Sequence, residues 1–274
     1  MNSKSVKEAL TKPKEAHEIL SQLTEEAVTQ YKRKRTSLLL SAFSAGLEIS
    51  FSVLLMGVVY TLFSSQLSEP AIHTLLAICY PLGFLFVILG KSELFTEHTT
   101  VAVLPVLTGQ TRFVSLLKIW GIVLVGNLTG VFLFSLILST LPVNMNIIKP
   151  EAYHYIAINI IQYRWYNIAG SSILAGWLMG LLGWLTTSSA DTISRIFIII
   201  IVTFVIGIAG LHHSIVGAAE MMAGALTFTD ITYQDFFRFI SLAVPGNIIG
   251  GAIFVAALKR SNTTKEHFDV EKNI

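Results

Sequence analysis

Phe204-Val-Ile-Gly-Ile-Ala-Gly-Leu-His212-His213-Ser214-Ile-Val-Gly217-Ala-Ala-Glu220-Met-Met222 is the stretch that decides how the chain is built. A long apolar run is interrupted in its middle by two adjacent histidines and a serine, and a carboxylate follows two turns later. In lipid such groups are expensive, so they need a partner or a water-filled space. Whether the run lies in a membrane, and what passes the histidines, follows from the rest of the chain.

The composition answers the first question. Of 274 residues, 53% are hydrophobic and 13% charged. Soluble domains carry about 25% charged residues, so this chain is too apolar for water and reads as one polytopic membrane domain. The single cysteine, Cys79, excludes an internal disulfide. The first residues are polar and the first apolar run is too long for a signal-peptide core, so the first transmembrane helix is expected to direct insertion.

Working outward, residues 1–35 form an expected cytoplasmic segment. Within it Ala16, Ile19, Leu20, Leu23, Ala27 and Val28 recur at helical spacing, which predicts an amphipathic helix. Its end, Lys32-Arg33-Lys34-Arg35, reads as a positive-inside anchor at anionic lipid rather than a nucleic-acid contact. A transmembrane domain over 36–260 holds six apolar segments, near 37–63, 72–108, 114–141, 166–187, 193–227 and 237–258, and 261–274 is a second cytoplasmic tail. About 20 helical residues cross the hydrocarbon core, so the second and fifth segments are too long for one plain crossing, and polar residues interrupt both. Arg112, Lys118, Arg195, Lys259 and Arg260 fall in alternate loops with the N-terminal basic run. Both termini are therefore expected in the cytoplasm of a multi-pass inner or plasma membrane protein.

Gly126-Asn127-Leu-Thr-Gly130 in the third segment recurs 120 residues later as Gly246-Asn247-Ile-Ile-Gly250 in the sixth. The same offset lays Gly90 on Gly210 and Glu93 on His213, so the polar break Gly90-Lys91-Ser92-Glu93-Leu94-Phe95-Thr96-Glu97-His98 meets the break at the histidines. Three crossings per half is odd, so the halves, about 37–141 and 166–258, insert with opposite orientation. The predicted fold class is all-α, six transmembrane helices in an inverted 3+3 repeat, with helices two and five broken near the midplane. Glycines four apart let membrane helices approach closely, which suffices to explain the repeated motif.

A broken membrane helix presents unpaired N–H groups and a positive dipole end, which suits an anion, and irregular backbone at that depth belongs beside a cavity. His213 is the candidate for chemistry, since an imidazole beside an anion can give or take a proton and let a weak acid cross neutral. His212 points about 100° away and reads as polar packing. Lys91, Glu93 and Glu97 lie in the first break, where Lys91 is expected to pair with a carboxylate or draw the anion; pairing inside the bundle is expected for Glu220. No metal site, nucleotide motif or catalytic pair is expected, and no cofactor.

Gly90-Lys-Ser-Glu-Leu-Phe-Thr96, His212-His213-Ser214-Ile215 and Gly246-Asn-Ile-Ile-Gly250 together resemble the signatures of the formate/nitrite transporter family over about residues 35–260. The resemblance implies an aquaporin-like fold, a homopentamer with one pore per protomer, and transport of formate, nitrite or hydrosulfide. It implies that His213 is the central pore histidine and Thr96 its loop partner, with Leu94 and Phe95 beside it. Phe84 is similar to the family's cytoplasmic constriction, and Tyr80 and Ile206 to the other. The chain departs from the family in Ile160 where a vestibule lysine is usual, with Arg164 one turn on as substitute. It departs again in Gly176 at an asparagine and in His212 at an acidic position, so it resembles a less typical branch.

The expected function is a channel or transporter for small monovalent weak-acid anions, formate first, with proton transfer at the pore histidine. A reading from another class, a membrane-embedded enzyme or a sensor without flux, would need catalytic groups or an appended domain. The repeat pairs His213 with Glu93 and the resemblance pairs it with Thr96, two different partners for one ring.

Overall fold

Residues 14–257 are described in a computed structural model of the chain. Residues 1–13, the basic pair Lys259-Arg260 and the tail 261–274 lie outside the described residues. Every regular element among the described residues is helical: α1 (Ala16–Lys32), α2 (Arg35–Phe63), α3 (Glu69–Gly90), α4 (Phe95–Val101), α5 (Leu104–Leu107), α6 (Phe113–Asn144), α7 (Pro150–Ile161), α8 (Trp165–Ser188), α9 (Thr192–Ile208), α10 (Ser214–Thr227) and α11 (Tyr233–Ile248). A π-helix continues α11 over Ile249–Ala257.

Five helices, α2, α3, α6, α8 and α11 with its continuation to Ile253, are long and apolar enough to cross a membrane. A helix satisfies its own backbone, which lipid cannot do, and that dictates the all-α solution. The fifth segment is divided between the shorter α9 and α10, on either side of the histidines. In the second segment the break does not fall midway: α3 begins at Glu69, with Pro70 in its first turn, and completes 22 residues before ending at Gly90. Leu40, Val114, Phe197, Ile201 and Phe237 are each more than half exposed, an apolar outer surface suited to lipid or neighbouring subunits.

The two halves repeat their packing. Gly126 and Gly130 of α6 lie against α2, where a Cβ at Gly130 would stand 2.2 Å from the Phe43 carbonyl oxygen. Gly246 and Gly250 meet α8 in the same way, a Cβ at Gly250 falling 2.0 Å from the Ile173 carbonyl oxygen. The motif therefore closes the first helix of each half onto the third, as small residues four apart allow.

Within α3 the Pro81 ring removes a backbone donor, and Ser52 of α2 repairs the bend. The Ser52 hydroxyl donates to the Tyr80 carbonyl at 2.7 Å and accepts the Gly83 N–H at 2.8 Å. That stitch fixes the turn of helix carrying Tyr80 and Phe84.

Two elements sit outside the six crossings. In α1, Ile19 and Leu23 pack with Leu104 and Trp184, and the Tyr31 hydroxyl donates to the Ala102 carbonyl at 2.6 Å. Helix α7 forms inside what reads from sequence as the third loop, and it buries Ala152, Tyr153, Ile156 and Ala157. At 12 residues it is too short to register as a crossing, yet Pro150 and Glu151 in its first turn are ordinary start signals.

Candidate functional site

Both breaks are built from the same backbone device. Lys91 and Gly210 adopt left-handed φ of 58° and 59°. In each break the left-handed residue's N–H returns to the carbonyl three back, and the next N–H reaches five back: Lys91 to Ile88 and Ser92 to Val87, Gly210 to Gly207 and Leu211 to Ile206. This double closure is the Schellman stop of a helix. The geometry lays Lys91 on Gly210 and Leu94 on His213, an offset of 119. The sequence alignment at 120, which set Gly90 on Gly210 and Glu93 on His213, is therefore displaced by one residue at the breaks. The chain between break and asparagine is one residue longer in the second half.

The asparagines hold the breaks open. Asn127 Oδ1 accepts the Phe95 N–H at 2.8 Å while its Nδ2 donates to the carbonyls of Ala42 and Glu93. Asn247 does the same in the second half, accepting from Ser214 N–H at 2.8 Å and donating to Ser172 and His212. One fully buried amide thus satisfies two orphan backbone groups at each break and ties the break to a carbonyl of the neighbouring helix. The leading N–H of α4 and of α10 is consequently occupied, so neither pole is as bare as the sequence suggests.

His213 is the N-cap of α10 and is 1% exposed. Its Nδ1 accepts the Val216 N–H at 3.3 Å, and its Nε2 lies 2.7 Å from the Thr96 hydroxyl oxygen. With Nδ1 accepting, the neutral ring carries its hydrogen on Nε2 and donates it to Thr96. The Thr96 hydroxyl hydrogen then has no acceptor among the described residues. Phe84 meets the imidazole edge-on, centroids 5.1 Å apart, and Tyr80 lies 5.5 Å behind Phe84. Leu94, Phe95, Thr96, Phe84 and Ile206 are all buried, so this level is closed.

A cavity of about 320 Å³ reaches the ring from the side of α7 and the start of α3. Tyr80, Ile206, His212 and His213 line it; Phe84, Leu94, Phe95 and Thr96 lie behind it. Ile160 is in its wall, and Arg164 is not: the Arg164 guanidinium is exposed and donates to the Tyr166 hydroxyl. Tyr155, Asn159 and Glu220 also line it, none of which the sequence singled out for the pore.

Other expectations move. Glu93 does not face His213; its carboxylate bridges Arg33, at the end of α1, and His98. Lys91 is exposed and has no carboxylate partner among the described residues, because Glu93 is already taken. His212 is pinned between Ser171 and the Ile160 carbonyl, the packing role expected of it. Glu220 has no ion-pair partner among the described residues and borders the cavity instead. At Gly176 a Cβ would stand 2.3 Å from the Asn247 carbonyl oxygen, so no side chain fits where the family pattern has asparagine.

Comparison with known proteins points one way. The sequence profile described as Formate/nitrite transporter matches residues 17–260. "Inner membrane protein YfdC" of Escherichia coli (strain K12) is 28% identical over 91% of this chain and 79% of its own. "Probable formate transporter" of Methanothermobacter thermautotrophicus is 26% identical over 85% of this chain and 91% of its own. Among solved structures, "FNT family ion channel" superposes with a TM-score of 0.77 at 17% identity, covering 88% of this chain and 97% of that one. "Pentameric formate channel with formate bound" superposes at 0.70 and 18% identity, covering 84% and 98%. The fold is thus the aquaporin-like fold of those channels.

Proposed function

The chain belongs to the formate/nitrite transporter family, and from that premise we propose that it carries formate as a small weak acid, with proton exchange at His213. Its family consists of anion channels and transporters rather than enzymes. The observation that supports the reading best is the contact between Thr96 and the Nε2 of His213. It joins the two helix breaks at the blind end of a cavity, where a cargo anion would meet a hydrogen-bond donor and a proton source together. A charged anion cannot cross the apolar level around Phe84, Leu94 and Phe95 cheaply, whereas a protonated acid can.

In this reading Tyr80 and Ile206 narrow the path on the cavity side and Phe84 narrows it on the other. Thr96 hands its hydroxyl to the cargo while Leu94 and Phe95 shape the loop around it. Nitrite and hydrosulfide are the alternative cargoes of the same pore. The chain assembles as a homopentamer in the inner membrane with both termini in the cytoplasm, and the apolar outer faces of its helices are covered by lipid and by neighbouring copies.

The test is a substrate panel in proteoliposomes run at two pH values: formate, nitrite, hydrosulfide and glycerol. Formate flux above the glycerol rate, rising as pH falls, is the expected result. Glycerol passing faster than every anion would make this a neutral-solute pore, and flux of none of the four would leave a protein that does not transport them.

A further inference from the structure

The cavity that leads to His213 must receive an anion without a fixed positive charge. Among the described residues no lysine or arginine lines it. The nearby cations are engaged elsewhere: Arg164 bonds the Tyr166 hydroxyl, and Arg238 donates to the carbonyls of Ile161 and Tyr163. The histidines of the wall are held as well, His73 by the Ile208 carbonyl, His212 by Ser171 and Ile160, and His213 by Thr96. Tyr80, Tyr155, Tyr163, Glu69 and Glu220 complete its titratable groups. Glu69 is exposed at the start of α3, where water solvates its charge. What the wall offers an anion is therefore neutral hydrogen-bond donors.

Glu220 is the unspent group among them. It is 7% exposed, has no hydrogen-bond or ion-pair partner among the described residues, and borders the cavity. On α10 it follows His213 and Gly217 at spacings of four and three residues, one face of the helix, and all three line the cavity. Seven residues of helix set it roughly 10 Å along the axis from the histidine. A carboxyl buried with neither a cation nor a donor beside it is stable in its neutral form, with its proton on. In that form it is a donor with nothing inside the protein to donate to, and the cavity is the side from which an acceptor arrives.

We propose that Glu220 is an anion-binding residue of this vestibule: the O–H of its neutral carboxyl donates to a carboxylate oxygen of the cargo and holds the ion on the helix face that leads to His213. A hydrogen bond to an ionised acceptor is roughly twice as strong as one between neutral groups, so the site binds an anion without a cation. No covalent bond changes, and the proton stays on Glu220. The cargo leaves this residue still charged and takes its proton at His213. The inference rests on the reading that the pore carries formate with proton exchange at that ring.

The experiment measures formate flux against formate concentration in proteoliposomes of the full chain at about pH 7, where an ordinary carboxyl is ionised. Wild type is compared with Glu220→Gln, which keeps a neutral donor, and with Glu220→Leu and Glu220→Met, which have none. All are first matched for folding by size exclusion and circular dichroism, and two apolar variants of different shape keep the comparison intact if one of them does not fold. The apolar variants are expected to raise the half-saturating formate concentration about tenfold, the scale of one hydrogen bond to a charged group, and to keep the maximal rate and its pH profile. Glu220→Gln is expected to stay within about twofold of wild type. The proposal is overturned if an apolar variant saturates at the wild-type concentration, or if Glu220→Gln loses as much as the apolar variants do. It is equally overturned if Glu220→Gln saturates about tenfold lower than wild type, the mark of a carboxylate that had been repelling the ion. A wild type that carries no formate removes the transport reading itself and this inference with it. Failure of the Glu220 role alone leaves wild-type formate flux and its dependence on His213 in place.

Discussion

Lys91 holds the left-handed backbone that Gly210 holds in the other half, φ 58° against 59°. A side chain in that conformation crowds the following carbonyl and costs about 1 kcal/mol, whereas glycine adopts it freely. Lys91→Gly is therefore expected to raise stability by about 1 kcal/mol, and Gly210→Ala to lower it by a similar amount, read as opposite shifts of thermal unfolding in detergent. Because the lysine side chain is exposed, little else changes with it. The same residue explains why the repeat was misaligned by one position. Glycine is the signal by which a sequence announces a left-handed stop, and Gly90 stood next to a lysine that had taken the role. His213 was legible for the opposite reason, since an ionisable ring in an apolar run stands out wherever it lies. Its contact with Thr96 agrees with the family resemblance, whereas the repeat at 120 pointed to Glu93; the backbone geometry sets Leu94 on His213 instead.

At the scale of elements, the repeated Gly-Asn-x-x-Gly motif has two functions. Its glycines were readable as close helix contacts, and α6 against α2 and α11 against α8 are packed that way. The asparagines were not readable, because their partners lie far away in sequence: Phe95, Glu93 and Ala42 for Asn127, and Ser214, His212 and Ser172 for Asn247. Replacing either by alanine leaves one N–H and one break carbonyl, that of Glu93 or His212, without partners in a dry interior. Each such group costs about 1–3 kcal/mol, so Asn127→Ala and Asn247→Ala should each lower the unfolding free energy by at least that much. Aspartate in their place keeps the acceptor but sets a buried carboxylate oxygen against two carbonyls, so its loss should be at least as large. Thermal unfolding of the purified variants measures both effects. Helix α7 escaped the sequence reading through length alone, because a membrane-span criterion passes over 12 residues whose buried face covers α10.

The whole molecule follows from apolar composition, which was legible throughout: helices satisfy their backbone in lipid, and the polar interruptions are confined to two breaks. The N-terminal helix was expected to be amphipathic, and its buried Ile19, Leu23 and Ala27 lie along one face. Its connection to the first break through Arg33 and Glu93 was not expected, since nothing in the sequence brings residues sixty positions apart together. In the proposed mechanism the closed level at Phe84, Thr96 and His213 passes a weak acid by exchanging a proton at the ring. The most direct measurement is formate flux into proteoliposomes at two pH values for wild type, His213→Ala and His213→Gln. Wild-type flux is expected to rise as pH falls, and the variants to be slowed about a hundredfold, the scale of a lost proton-transfer group, with a flattened pH profile. Wild-type rates and an unchanged pH profile in both variants would contradict that mechanism.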